Sequence, residues 1–259
     1  MRTWPAGTVL TSEWLIHKEG YSKGLLQQYR RSGWIELVGK GAYRRVEMNE
    51  KGQLVPLHWT GGVYALQSLS LNWRGFKPPA LVAARTALVL GGYGHYVSMN
   101  DNEAIWIFSE HGYRVPTWFR KFTWGPEVKI HGPNLFVKEH PNTISIQNRG
   151  SFNIQYSCPE RAMMELLELC PQKESLEHAK LLMEGLTTLR PRLVSELLED
   201  CSSIKVKRLF LALADLCNHS WLKDIKIHKI DCGSGKRILE AGQGFHPKYA
   251  ISVPRTKEG

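Results

Sequence analysis

Apolar and polar positions set out three short elements at the start of the chain. Over residues 9–18, Val9, Trp14 and Leu15 offer the apolar side of a first helix. Gly20-Tyr21 makes a tight turn, and Ser22 follows as an N-cap whose hydroxyl can accept from an otherwise orphan backbone N–H. In the second helix Leu25, Leu26 and Tyr29 share one side, and Gly33 closes it where a left-handed residue is wanted. Trp34 is expected to pack beneath this helix as a core aromatic. Residues 35–38 and 42–46 then read as two strands around the glycine turn Gly39-Lys40-Gly41.

Two helices, a turn and a β-hairpin are the layout of a winged helix. Lys23, Gln27, Arg30 and Arg31 stand at i, i+4, i+7 and i+8, so they share the side opposite the leucines. Ser22 and Gln28 flank that face. Arginine can bond guanine O6 and N7, and glutamine can bond adenine N6 and N7, in the major groove. Lys40 sits at the wing tip, with Arg44 and Arg45 close behind. A short basic face alone is more often solvated than bound; the wing tips the balance toward DNA. Residues 1–11, with Pro5 and Gly7, leave little room for a longer leading helix.

Further along, the polar stretch 47–58 reads as a domain boundary, giving a DNA-binding domain over 1–55 and a larger domain over 56–259. Residues 60–72 read as a helix with Val63, Leu66 and Leu69 inward, and 80–90 as a second helix rich in small residues. Gly92-Tyr93-Gly94-His95-Tyr96 reads as a loop, with His95 structural. The part over 100–157 is sheet-rich, with strands at 104–108, 135–137, 143–146 and 152–156. The part over 158–220 is helix-rich, with starts at Pro159, Ser175, Pro191 and Ser203. Strands at 237–239 and 249–253 close the chain. The fold class is therefore α+β: a winged helix followed by a larger mixed domain ending in a helical region.

Charge sharpens this picture. The chain has 259 residues and a formal net charge of +10. Residues 1–46 carry eight cations against three acids, half of that excess in under a fifth of the length. Such a concentration is the footprint of a phosphate binder. No apolar run reaches the ~20 residues that a bilayer span requires, so no membrane partner is expected. The opening residues lack the basic-then-apolar order of a signal peptide. Five cysteines without a CxxC pair argue against a zinc site or a disulfide framework and for a reduced, cytoplasmic protein.

Candidate chemistry beyond the winged helix is thin. Gly233-Ser234-Gly235-Lys236-Arg237 resembles a phosphate loop but has Ile230 where the first glycine belongs and no Ser or Thr after the lysine, so nucleotide hydrolysis is rejected. The turn keeps a basic tip, usable for phosphate or for nothing. Arg190, Arg192, Lys205, Lys207, Arg208, Lys236 and Arg237 form a candidate anion or partner patch. Glu199-Asp200 followed by Lys205 and Lys207 raises a metal-dependent nuclease or RNA-acting enzyme as the alternative. Those acids end a helix and no second acid cluster precedes them, so the reading is of a non-enzyme needing no metal or cofactor. A third possibility is an adaptor that grips an acidic protein.

The run GYSKGLLQQYRRSGWIELVGKGAYRR resembles the N-terminal winged helix of AbiEi-type antitoxins, the regulatory half of type IV toxin–antitoxin and abortive-infection systems. The resemblance continues through Ala65-Leu66-Gln67, Arg85-Thr86-Ala87-Leu88, Gly92-Tyr93-Gly94-His95-Tyr96 and Val115-Pro116-Thr117-Trp118-Phe119. It resumes in GLTTLRPRLVSELLEDCSSIKVKRLFLALAD, in 222–237 and in 249–254. It implies repression of the operon through inverted repeats in double-stranded DNA. It also implies a C-terminal domain that neutralises a nucleotidyltransferase-like toxin, with which it need not form a stable complex. Carried over by position, the DNA contacts are Lys23, Gln27, Arg30 and Arg31, with Lys40, Arg44 and Arg45 in the wing.

Overall fold

A computed structural model describes residues 4–68, 78–94, 103–138, 140–240 and 243–255. The chain is α+β and forms two compact units interleaved in sequence. The first holds Met1–Val82, Asn100–Gly132 and Ile146–Gln155; the second holds Ala83–Met99, Pro133–Ser145 and Tyr156–Gly259. The segment 1–55 lies inside the first unit, which continues past it.

The first unit begins with β1 (Val9–Thr11), α1 (Ser12–His17), α2 (Lys23–Arg31), β2 (Ile35–Gly39) and β3 (Ala42–Arg45). These form a winged helix whose antiparallel sheet runs β1-β3-β2, with Leu10 opposite Tyr43 and Glu36 opposite Arg44. The expected first helix thus starts three residues later than its apolar pattern, because Val9 and Leu10 are buried as strand residues. Thr11 then caps α1, its hydroxyl accepting from the Trp14 N–H at 3.2 Å. The helix packed on β1 follows the wing in sequence: it is α3 (Trp59–Ser68), with Val63 and Leu66 buried as expected. The last residues of the expected helix, Leu69 among them, and His95 lie outside the described residues.

Residues 80–90 are not one helix. They divide into β4 (Ala80–Val82) and α4 (Ala84–Leu90), hinged at Ala84, which takes a left-handed φ of 50°. Its N–H is held by Glu165 Oε2 at 3.2 Å, a partner 81 residues away that no local pattern announces. Next come β5 (Ile105–Ser109), α5 (Thr117–Lys121), β6 (Val128–His131), β7 (Ile144–Asn148) and β8 (Asn153–Ser157). With β4 they make a sheet of order β6-β5-β4-β8-β7, in which β5 is antiparallel to β4 and parallel to β6. Residues 135–137 form no strand; Phe136 makes an isolated bridge to Cys201, and Val137 is 73% exposed.

The second unit is built on α6 (Pro159–Leu169), which packs against α4, α7 (Leu176–Glu184), α8 (Pro191–Asp200) and α9 (Ile204–Leu216). The four start signals expected for these helices are where the sequence puts them. Pro159 and Pro191 open α6 and α8, and Ser175 and Ser203 cap α7 and α9 through their hydroxyls. Ala162, Met163, Leu166 and Leu167 of α6 are fully buried. A short antiparallel pair, β9 (Gly244–His246) and β10 (Ile251–Val253), completes the unit against α9. The expected strand at 237–239 is reduced to one bridge, Arg237 to Ile251.

Candidate nucleic-acid interface

Recognition-helix geometry follows from its two ends. Ser22 Oγ accepts from the Leu25 N–H at 3.1 Å, so α2 begins where the sequence expects. Gly33, at φ 73°, turns the chain out of the helix and into the wing. Leu26 is buried, Leu25 and Tyr29 are half-buried, and Tyr21 in the turn packs edge-on against Tyr29, ring centroids 6.1 Å apart. Burial, then the neighbouring Tyr29 and Glu19, raises the Tyr21 hydroxyl pKa above its ordinary value.

The opposite side of α2 is open. Lys23, Gln27, Gln28, Arg30 and Arg31 are exposed, as is Lys40 at the wing tip. None of these side chains makes an ion pair or hydrogen bond with a described residue. Their charge is therefore available to a partner at no cost in broken contacts.

The wing's own arginines are used differently. Arg44 is held by Glu36 through Nε at 2.8 Å and Nη2 at 2.6 Å, and its Nη1 donates to the Val55 carbonyl at 3.1 Å. Arg45 is held by Glu47 at 2.9 Å. Arg44 thus braces the hairpin across its strands, while Arg45 is tied along its own strand. From behind, α5 packs on β2 so tightly that a Cβ on Gly39 would stand 2.7 Å from the Trp118 Cβ. Position 39 therefore admits only glycine without a shift, and the wing is fixed rather than hanging.

Trp34 corrects an expectation. It is 61% exposed at the junction of α2 and the wing, tied in only by backbone bonds to Tyr29 and Val46. The register explains this: Ile35, the next residue, takes the core position.

The C-terminal basic residues have separate partners. Arg190 donates through Nε and Nη2 to both oxygens of Glu160 at 2.8 Å, and Arg192 pairs with Glu196 one turn on. Burial alone would raise the Glu160 carboxyl pKa, but the hydrogen bonds from Arg190 outweigh it and hold the group at about 2. Lys205 donates to the Glu168 and Cys170 carbonyls. Arg208 is buried and bonded to backbone carbonyls, while Lys236 and Arg237 are exposed. Lys207 is buried without an ion pair to any described residue.

Of the two acids in the nuclease alternative, Asp200 accepts from the Lys138 N–H at 2.8 Å and from His140 Nε2 at 3.0 Å. Among the described residues no group of His, Cys, Asp or Glu is arranged to hold a metal, and no helix is long and apolar enough to cross a membrane. All five cysteines are free thiols. Burial pushes Cys158 and Cys170 up to about 12 and Cys201 and Cys217 to about 11, which suits packing and not nucleophilic attack.

A braced wing beside a helix with an unpaired basic face puts the chain in the class of winged-helix regulators. It belongs to the AbiEi antitoxin family of type IV toxin–antitoxin systems. Residues 1–99 match the "Transcriptional regulator, AbiEi antitoxin N-terminal domain", and residues 102–254 match the "Transcriptional regulator, AbiEi antitoxin, Type IV TA system". No curated protein matches the chain. Among solved structures the RV2827C protein from Mycobacterium tuberculosis is similar, with a TM-score of 0.61 over 95% of this chain and 86% of that one. At 13% identity that likeness speaks for the fold alone.

Proposed function

We propose that the protein is a DNA-binding antitoxin of the cytoplasm that represses its own operon through α2 and the wing. Residues 1–55 act as the reading head on inverted repeats in double-stranded DNA, and 56–259 neutralise a nucleotidyltransferase-like toxin, with which they need not form a stable complex. The mechanism is occupancy, not catalysis. The carrying observation is the face of Lys23, Gln27, Arg30 and Arg31, exposed and without a partner among the described residues, beside Lys40 on a fixed wing. Arg30, Arg31 and Gln27 read base edges, and Lys23 and Lys40 meet phosphates. Ser22 and Gln28 border the helix face. Arg44 and Arg45 contribute field from within their ion pairs.

A gel-shift of the protein on the DNA upstream of its own gene, titrated with salt and random competitor, tests this reading. Retardation that survives competitor and needs an inverted repeat is expected. Binding that competitor abolishes at modest salt would leave a merely basic protein and remove autorepression.

A further inference from the structure

The first unit carries a second basic stretch, far from the winged helix in sequence and beside it in the fold. Between Glu110 and Glu127 the chain holds Arg114, Arg120 and Lys121 and no acid. Arg120 and Lys121 end α5, and both are exposed. Arg120 donates through Nε to the Val115 carbonyl at 3.1 Å and makes no other hydrogen bond to a described residue. Lys121 has no partner among the described residues.

Helix α5 is held firmly in place. Its Trp118 and Phe119 are buried, and the Trp124 ring closes on them with centroids 6.4 Å and 5.0 Å away. The Trp124 indole N–H donates to the Phe119 carbonyl at 2.8 Å. Trp118 also makes the close contact with Gly39, the last residue of β2 before Lys40. Strand β2 packs against both α2 and α5, so the recognition helix and α5 flank the strand that leads to the wing tip. Lys121 stands three residues after Trp118, about 4.5 Å along the helix axis. A lysine's flexible stem reaches across such a distance. The end of α5 thus adds two exposed cations next to the wing tip.

We propose that Lys121, with Arg120 beside it, is a phosphate contact on the same DNA duplex, flanking the contact made by Lys40. The proposal rests on the DNA reading of α2 and the wing, and it extends that interface to a segment outside residues 1–55. Lys121 is a point charge on a flexible stem and reads no base. It holds the backbone beside the wing, which positions the protein and adds affinity without sequence preference. A duplex suits this arrangement because its phosphates recur at regular steps along each strand. A protein that meets one phosphate at Lys40 therefore brings a neighbouring one to the cations beside it.

Salt titrations of DNA binding by the full chain test the contact, on the DNA upstream of the gene and on random duplex. Each phosphate contact contributes about 0.9 to the slope of log affinity against log salt. Lys121→Ala should lower that slope by about one on both DNAs, and the double variant with Lys40→Ala by about two. The ratio of affinities for the two DNAs stays as in the parent. Because Lys121 has no described partner, the urea midpoint stays where it was as well. Lys180→Ala removes a charge already paired with Glu184 at 2.6 Å and should leave the slope unchanged, which separates a contact from a general loss of positive charge. Hydroxyl-radical footprints give a second readout: Lys121→Ala loses backbone protection at the flank of the site and keeps it under α2. An unchanged slope for Lys121→Ala, or an equal fall for Lys180→Ala, would overturn the proposal; with Lys40→Ala still lowering the slope, the reading head stands. A chain that does not prefer the upstream DNA would lose autorepression instead, and the slope on random duplex would still decide the role of Lys121.

Discussion

The recognition helix α2 and the approach to α8 and α9 look alike as strings of letters, since each is a short stretch dense in arginine and lysine. The fold treats them in opposite ways. On α2 the cations are exposed and have no partner among the described residues. Around α8 and α9, Arg190 is closed on Glu160, Lys205 on the Glu168 and Cys170 carbonyls, and Arg208 on three more carbonyls, while Arg192, 94% exposed, pairs only along its own helix with Glu196. Charge density in a sequence is therefore not free charge. What decides is whether the packed chain leaves acceptors over, because a cation drawn out of water must find one. Most of the C-terminal cluster holds the unit together, and the N-terminal cluster is left for something else.

The sharpest way to break that contrast is to remove one cation of each kind. Arg190→Ala leaves the Glu160 carboxylate, 2% exposed, with the residue-190 backbone N–H but without the guanidinium, and because the arginine is itself 54% exposed a stability loss of about 1–3 kcal/mol in urea unfolding is expected. Arg30→Ala should leave the urea midpoint where it was. If the two variants unfold alike, the distinction between structural and available charge fails.

Acid gives the same contrast a second reading. Glu160 is held at about 2, below its ordinary 4.5. A depressed carboxyl contributes stability that is fully present above the ordinary value and is lost as pH falls from there through about 2. The parent should therefore lose stability between about pH 4.5 and 2, and Arg190→Ala should show a flatter decline over that window. Parallel curves for the two proteins would remove the ion pair from the acid response.

Much of this was legible before any coordinates, and the exceptions share a cause. Helices α6 to α9 announce themselves, because Pro159, Ser175, Pro191 and Ser203 act on the residues beside them. Likewise Ser22, Gly33 and the basic face of α2 are local signals. The break between β4 and α4 is not, since it depends on Glu165 holding the Ala84 N–H from 81 residues away. Strands β1 and β9 have three residues each, too few for an alternation to show. The partners of Arg44 and Arg190 depend on strand register and on helix packing, so a count of charges overstates what the surface offers.

Within the N-terminal region itself two kinds of contact can be told apart. Arg30→Ala should cost about 1–3 kcal/mol on the specific operator and relax discrimination there, because a base-reading contact is lost. Lys40→Ala should weaken all sequences alike and flatten the salt dependence by about one unit, as removal of a phosphate contact does. Gel-shifts on specific and random DNA at several salt concentrations read both. Equal losses on the two DNAs for Arg30→Ala would sink the base-reading assignment while leaving the fold untouched.

The smallest effect is expected at Trp34, where pattern and structure disagree most plainly. A tryptophan after an amphipathic helix reads as core, and removing a core tryptophan costs about 3–5 kcal/mol. Here the ring is 61% exposed and the residue is tied in by its backbone, through Trp34 N–H to Tyr29 and Trp34 C=O to Val46. Both of those bonds survive truncation of the side chain. Trp34→Ala should therefore change stability by no more than about 0.5 kcal/mol, the range of an ordinary surface substitution. A loss several times larger in urea unfolding would put the ring back beneath α2. It would also mean that the exposed surface joining the recognition helix to the wing is smaller than the structure shows.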